Sequence, residues 1–314
     1  MNRTGVRVSS PTESVNARTV NIDIVPTLDL VRMINDEDRI VADAVAAVLP
    51  TLGRLVDDAA QRVAAGGRVH YFGAGTSGRL GVLDAAELLP TFGWSDHVVV
   101  AHQAGGAAAF LNAVEDAEDD EGGADTAGIT RRDVVIGLAA SGRTPYVGAA
   151  LTAAREAGAA TALVTANPDA SLAPLADYLL VVATGPEALT GSTRLKAGTA
   201  QKLVLNTFST ALAVRLGRTY QNLMVDMRAT NAKLRGRVIE LLIQATGVDE
   251  DHSAAALDAC GGELKVALVH LLSGCAATPH QAAEALAANH GRVREALAAL
   301  GFDGADTPHL DAGQ

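Results

Sequence analysis

The stretch Arg68-Val69-His70-Tyr71-Phe72-Gly73-Ala74-Gly75-Thr76-Ser77-Gly78-Arg79 passes from a short apolar run into a glycine-rich turn, and from there into a helix-length segment rich in Ala and Leu. A short run that is apolar on both faces suits a strand buried in a parallel sheet. The glycines permit a tight turn and a close backbone approach before the helix. The same texture recurs downstream, with strands expected at Arg68–Phe72, His97–Ala101, Asp133–Leu138, Ala162–Thr165 and Tyr178–Val182. Their alternation with helical segments predicts an α/β fold, a doubly wound five-stranded parallel sheet with right-handed crossovers.

Upstream, residues 36–64 read as helices, carrying Ile40, Val41, Val45, Val48, Leu49, Leu52 and Leu55 at helical spacing, and residues 1–11 read as a loose polar arm. From about Leu195 onward no strand signal remains. Helices follow, with breaks expected near Gly236, Gly247, Gly261–Gly262, Pro279 and Gly291. The expected organisation is an N-terminal arm and helices over 1–58, an α/β domain over 59–222, a smaller helical C-terminal region over 223–300 and a disordered tail over 301–314.

The 314 residues are 48% hydrophobic but only 3% aromatic, so the core has to be built from small aliphatic side chains. A formal net charge of −11 disfavours nucleic acid and anionic membranes as partners, yet leaves room for a small anion held by local dipoles. Two cysteines outside any CxxC pair, and no apolar run for a signal peptide or a membrane span, fit a reduced, cytoplasmic protein.

Ser77-Gly78-Arg79 recurs as Ser141-Gly142-Arg143, and both copies follow an expected strand. Each loop alone reads equally well as a tight turn. Together, at the carboxyl ends of two strands, they favour a phosphate site in which Thr76, Ser77, Gly78, Ser141, Gly142 and Thr144 supply hydroxyls and helix-start amides. Gly73, Gly75 and Gly78 also satisfy GxGxxG, but the second strand, ending at His102 and Gln103, lacks the ribose-binding acid of a dinucleotide site. A third loop, Thr190–Thr199, is dense in donors and cations. Ser192 and Lys196 there are equally a capped helix start or substrate ligands.

Glu87 lies among apolar residues on the helix that the first loop opens, where partial burial would favour the protonated form that a general acid needs. Spacing alone reads it as a solvated carboxylate. Glu115 and Glu118 open an acidic run most of which reads as solvated loop. The histidines are scattered, without metal-ligand spacing.

Taken together, Thr12–Asn16, Ile34–Asp38, Gly73–Gly81, Ala140–Val147, Thr190–Lys202 and Asn222–Asp226 resemble the N-acetylmuramic acid 6-phosphate etherases, over about Thr12 to Leu300. The resemblance implies a sugar-isomerase (SIS) fold, a homodimer without metal or organic cofactor, and cleavage of a lactyl ether to give N-acetylglucosamine 6-phosphate and D-lactate. It implies Glu87, in Asp84-Ala85-Ala86-Glu87, as general acid, and Glu118, in Val114-Glu115-Asp116-Ala117-Glu118-Asp119, as the second catalytic glutamate. Asp116 departs from the family's pattern, where a smaller residue such as Gly is expected. The rival readings are a non-catalytic sugar-phosphate sensor, like the glucokinase regulatory protein, and an aldose–ketose isomerase or deaminase on the same fold.

Overall fold

In the computed structural model, which describes residues 10–94, 97–112, 114–227 and 232–302, the chain divides into two compact units. The first comprises residues 1–87 and 96–210, the second residues 88–95 and 211–314.

The first unit holds a five-stranded parallel sheet of β1 (Val69–Gly73), β2 (Val99–Gln103), β3 (Val134–Leu138), β4 (Ala160–Thr165) and β5 (Tyr178–Val181), in the order β2-β1-β3-β4-β5. The five expected strands are all present. The second is displaced by two residues because His102 and Gln103 continue the ladder, opposite Phe72 and Gly73. β1, β3 and β4 are buried throughout, as their β-branched and small residues require. The edge strands β2 and β5 are mostly half-buried.

The helices that begin in this unit are α1 (Thr27–Asp38), α2 (Ile40–Ala46), α3 (Leu49–Ala64), α4, which begins at Gly75 and runs to Phe92, α5 (Ala108–Leu111), α6 (Pro145–Glu156) and α7, which begins at Lys196 and runs to Arg215. Small residues set the spacing between layers. A Cβ on Gly137 of β3 would lie 2.6 Å from Val147 Cγ1 of α6, so glycine there lets the helix settle on the sheet. The buried stripe of α6, formed by Val147, Ala150, Leu151 and Ala154, completes that layer.

Two expectations about organisation change. The arm expected to be loose is packed from Ser10 onward, with Thr12 only 1% exposed and Thr19 Oγ1 donating to the Ala188 carbonyl. Residues 1–9 lie outside the described residues. The boundary expected at 58/59 is absent, since the arm and α1–α3 belong to the same unit as the sheet, and the second boundary falls at Ala211 rather than at 223.

The second unit packs α8 (Ala232–Thr246), α9 (Glu250–Ala259), α10 (Leu264–Leu272), α11 (Pro279–Ala288) and α12 (Val293–Ala299) around Val238, Leu242, Leu257, Leu268, Leu286 and Leu297. It also contains a small antiparallel ladder, β6 (Thr219–Tyr220) with β7 (Leu223–Met224). Two-residue strands leave no alternation to read, which is why the sequence showed none. The break expected near Gly236 is not there: that glycine lies inside α8 with open space where a Cβ would go. The other expected breaks fall between helices. The expected tail, 301–314, lies outside the described residues from residue 303 onward.

Candidate active site

The strand order sets β1 beside β3, in register from Val69↔Val134 to Gly73↔Leu138, so the loops that follow them emerge as neighbours where the sheet's winding reverses. Ligands of open α/β sheets collect at such a point.

The first loop is almost all helix start. Gly75 has φ +53, a conformation that L side chains rarely adopt, and α4 begins there. A Cβ on Gly73 would lie 2.6 Å from Gly78 N, and one on Gly78 would lie 2.4 Å from Gly73 O. The GxGxxG pattern is therefore a close packing of helix on strand; the amides of Gly75, Thr76 and Ser77 are left without intrahelical partners, whereas the Gly78 amide donates to the Ala74 carbonyl at 3.3 Å. Thr76 and Ser77 stand half-buried at this turn, and their hydroxyls have no partner among the described residues.

The second loop is held from behind. Gly142 (φ +66) presses so closely on Ala170 that a Cβ would come within 2.3 Å of it. Three carbonyls of the loop accept bonds from the layer beneath: Ala140 from Thr165 Oγ1 (3.1 Å), Ser141 from Asn167 Nδ2 (2.9 Å) and Gly142 from the Leu172 amide (3.1 Å). Ser141 and Thr144 keep half-buried hydroxyls without a partner among the described residues, and Thr144 stands at the N-cap of α6 without capping it. Thr165 and Asn167, which fix this loop, were missed by sequence reasoning. Their role depends on a contact between β4 and the β3 loop that no local pattern encodes.

The acidic segment returns to this corner. The Glu118 carbonyl accepts the Tyr146 amide at 3.0 Å, in the first turn of α6. Glu118 and Glu115 then line a cavity of about 190 Å³ together with Ala74, Gly75, Arg79 and Gln103. Nε and Nη2 of Arg79 donate to the carbonyls of Phe110, Ala109 and Asn112, which pins the segment leading to Glu118. Asp116 has φ +60, the left-handed region, which gives a physical reason why a glycine is expected there.

Glu87 is placed differently. It is exposed on α4, 12 residues beyond Gly75, or about 18 Å along the helix axis. The partial burial expected for it is absent in the single chain. One turn earlier, Asp84 faces inward and accepts Tyr71 OH and Ser209 Oγ, both at 3.0 Å; burial raises its pKa above the usual carboxylate value. Asp84 thus fixes the helix from which Glu87 projects.

The third loop reaches the first, where a Cβ on Gly198 would lie 3.5 Å from Thr76 Cγ2, but its lysine is engaged elsewhere. Lys196 is fully buried, and its Nζ lies 2.6 Å from Glu37 Oε2, a carboxylate that also pairs with Arg18 at 2.5 Å. The Arg18 guanidinium first, with Lys196 and Asn16 against the cost of burial, lowers the Glu37 pKa to about 2. Glu187 accepts the amides of Lys196 and Ala197 and so caps α7. Lys196 therefore clamps the arm and is not free to hold a substrate; Ser192 beside it is half-buried.

A larger cavity, about 640 Å³, adjoins the first and shares Gln103 with it; His102, Phe110, Asp125 and Tyr146 also line it. His102 stacks on Phe72 at 4.1 Å and bonds His70 at 3.0 Å, and burial lowers its pKa to about 4. The two histidines meet only because β1 and β2 pair.

Residues 51–155 match the model of the glucokinase regulatory protein N-terminal SIS domain, and residues 107–211 match the SIS domain. The chain is 57% identical to an N-acetylmuramic acid 6-phosphate etherase of Thermobifida fusca, over 85% of this chain and 88% of that one. It is 53% identical to the one of Symbiobacterium thermophilum, over 84% and 89%, and 49% identical to the one of Klebsiella aerogenes, over 91% and 96%. A solved phosphoheptose isomerase from Francisella tularensis aligns with TM-score 0.48 and 16% identity, over 60% of this chain and 100% of that one. With identities of about half the residues over most of each chain, this protein belongs to the N-acetylmuramic acid 6-phosphate etherase family.

Proposed function

We propose that the protein cleaves the lactyl ether of N-acetylmuramic acid 6-phosphate to N-acetylglucosamine 6-phosphate and D-lactate, serving cell-wall recycling and amino-sugar catabolism. The observation that carries this reading is that Glu118 lines one cavity with Ala74 and Gly75 at the start of α4, and that β1, which leads into α4, pairs with β3, which leads into the second hydroxyl-bearing loop. The phosphate would sit on Thr76, Ser77 and Gly78 from one side and Ser141, Gly142 and Thr144 from the other. Neutral donors with a helix dipole suffice for an anion in a chain of net charge −11.

An ether leaves poorly at neutral pH, but in the open-chain sugar the C2 proton is acidified by the C1 aldehyde. Glu118 takes that proton, the electron pair moves to form the C2=C3 bond, and the C3–O bond breaks. The departing lactate oxygen takes its proton from Glu87, which in the proposed homodimer would come from the second copy, because in its own chain it stands about 18 Å along α4 from Gly75. Water then adds its oxygen to C3 of the unsaturated aldehyde, and C2 regains a proton. The phosphate grip holds the remote end and supplies orientation. No step requires a metal or an organic cofactor. We place the enzyme in the cytoplasm as a homodimer, for which exposed Leu83, Phe110 and Leu111 offer an apolar face, and assign it no nucleic-acid or membrane partner. No described helix is long and apolar enough to cross a membrane.

The test is release of D-lactate from N-acetylmuramic acid 6-phosphate by purified protein without metal or nucleotide. Glu118→Ala and Glu87→Ala are each expected to lower kcat by about 10²–10⁴ while substrate binding persists. Tight sugar-phosphate binding without any lactate would instead favour a sensor, the reading that the match to a regulatory protein's SIS domain keeps in view.

A further inference from the structure

We propose that Gln103 is a specificity-determining residue that donates from Nε2 to the carbonyl oxygen of the substrate's C2 acetamido group. This deepens the proposed function and rests on it. If Glu118 takes the C2 proton, the substituent on C2 lies beside Glu118, in the cavity that Gln103 shares. The other charged side chains lining that cavity are Glu115, Asp116 and Arg79. Carboxylates offer no donor to a neutral acetyl carbonyl, and Nε and Nη2 of Arg79 already hold three backbone carbonyls. Gln103 brings a neutral N–H₂ to the same wall.

Its placement is fixed by the first loop. Oε1 is buried without a partner, in a niche that exists because residue 78 is glycine: a Cβ there would come within 2.2 Å of Oε1. Nε2 lies on the exposed side, with only a 3.5 Å contact to the Gly75 carbonyl, at the outer limit for a hydrogen bond. The oxygen end is packed in that niche by shape alone, and the donor end is left for a ligand.

The test compares wild type with Gln103→Leu and Gln103→Glu, titrating N-acetylglucosamine 6-phosphate and glucosamine 6-phosphate calorimetrically and measuring lactate release from N-acetylmuramic acid 6-phosphate. Both variants are expected to bind the acetylated sugar about tenfold more weakly, with a matching rise in KM; the unacetylated sugar, an ammonium at C2, should bind Gln103→Leu within about twofold of wild type and Gln103→Glu no more weakly than wild type. An equal loss on both sugars in both variants would make Gln103 a structural prop for the Gly75–Gly78 turn and overturn the proposal, as would undiminished binding of the acetylated sugar. A wild type that binds both sugars but releases no lactate would overturn the proposed function itself, whatever the variants do.

Discussion

The loops after β1 and β3 and the loop before α7 share a composition of Gly, Ser, Thr and cations, and the structure gives them opposite fates. In the first two, glycines hold the backbone against neighbouring layers and leave hydroxyls without partners among the described residues. In the third, two distant carboxylates take the helix-start amides and the lysine, though not the hydroxyls: Glu187 takes the amides of Lys196 and Ala197, and Glu37 takes the Lys196 ammonium. Composition shows which groups can bind an anion. Whether they are free to do so is decided by acids 9 and 159 residues away in the chain.

Breaking the closed loop is expected to have the largest effect in this comparison. Lys196→Ala leaves Glu37 buried with Arg18 and Asn16 to answer it and opens a hole where a fully buried side chain stood. Removing one partner of a buried pair typically costs about 3–5 kcal/mol, to be read from the urea midpoint at constant m-value. A loss below about 1 kcal/mol would place the pair in the range of a surface ion pair.

The same clamp predicts a pH dependence. The Glu37 pKa is lowered in the folded state, to about 2 from 4.5, so the unfolded chain binds the proton more readily. The stability it contributes is complete above 4.5 and is lost as pH falls toward 2. His102, lowered to about 4 from 6.5, loses its contribution in a higher window, as pH falls from 6.5 toward 4. Urea midpoints measured from pH 7 to pH 3 should therefore fall throughout, and Glu37→Gln should flatten only the lower part. A midpoint unchanged over that range would remove both assignments.

The open loops should behave in the opposite sense. Ser77→Ala and Thr144→Val remove hydroxyls that no described protein group uses, so the thermal midpoint should hold. The KM for a sugar phosphate should rise by about tenfold for each, the worth of one hydrogen bond to a charged group. A drop in thermal midpoint without a change in KM would show that these hydroxyls serve the fold, as Lys196 does.

This contrast also marks what the sequence could show. The strands were legible because apolar runs between glycine turns are a local pattern, and Gly73, Gly75 and Gly78 announced their turn. The parts that stayed hidden are contacts between distant segments. Asn167 against the Ser141 carbonyl, His70 against His102, and Arg18 with Lys196 on Glu37 each need the fold before they exist. Glu118 was legible only through a family motif, because an exposed acid in an acidic run carries no signal of its own.

The smallest expected effect lies beside Glu118 itself. At Gly75 and Gly142 the left-handed backbone is met by glycine, whereas at residue 116 the chain puts an aspartate at φ +60. Aspartate tolerates that region better than most residues but still pays for its Cβ, while glycine pays in unfolded-state entropy. The difference should leave Asp116→Gly more stable by roughly 0.5 kcal/mol, seen as a small rise in thermal midpoint. It also removes one negative charge from the cavity that Glu115 and Glu118 line. A variant less stable than the parent would mean that the contact made by the Asp116 side chain outweighs the backbone strain, and that the acidic segment, like the loop before α7, is held in place by its charges.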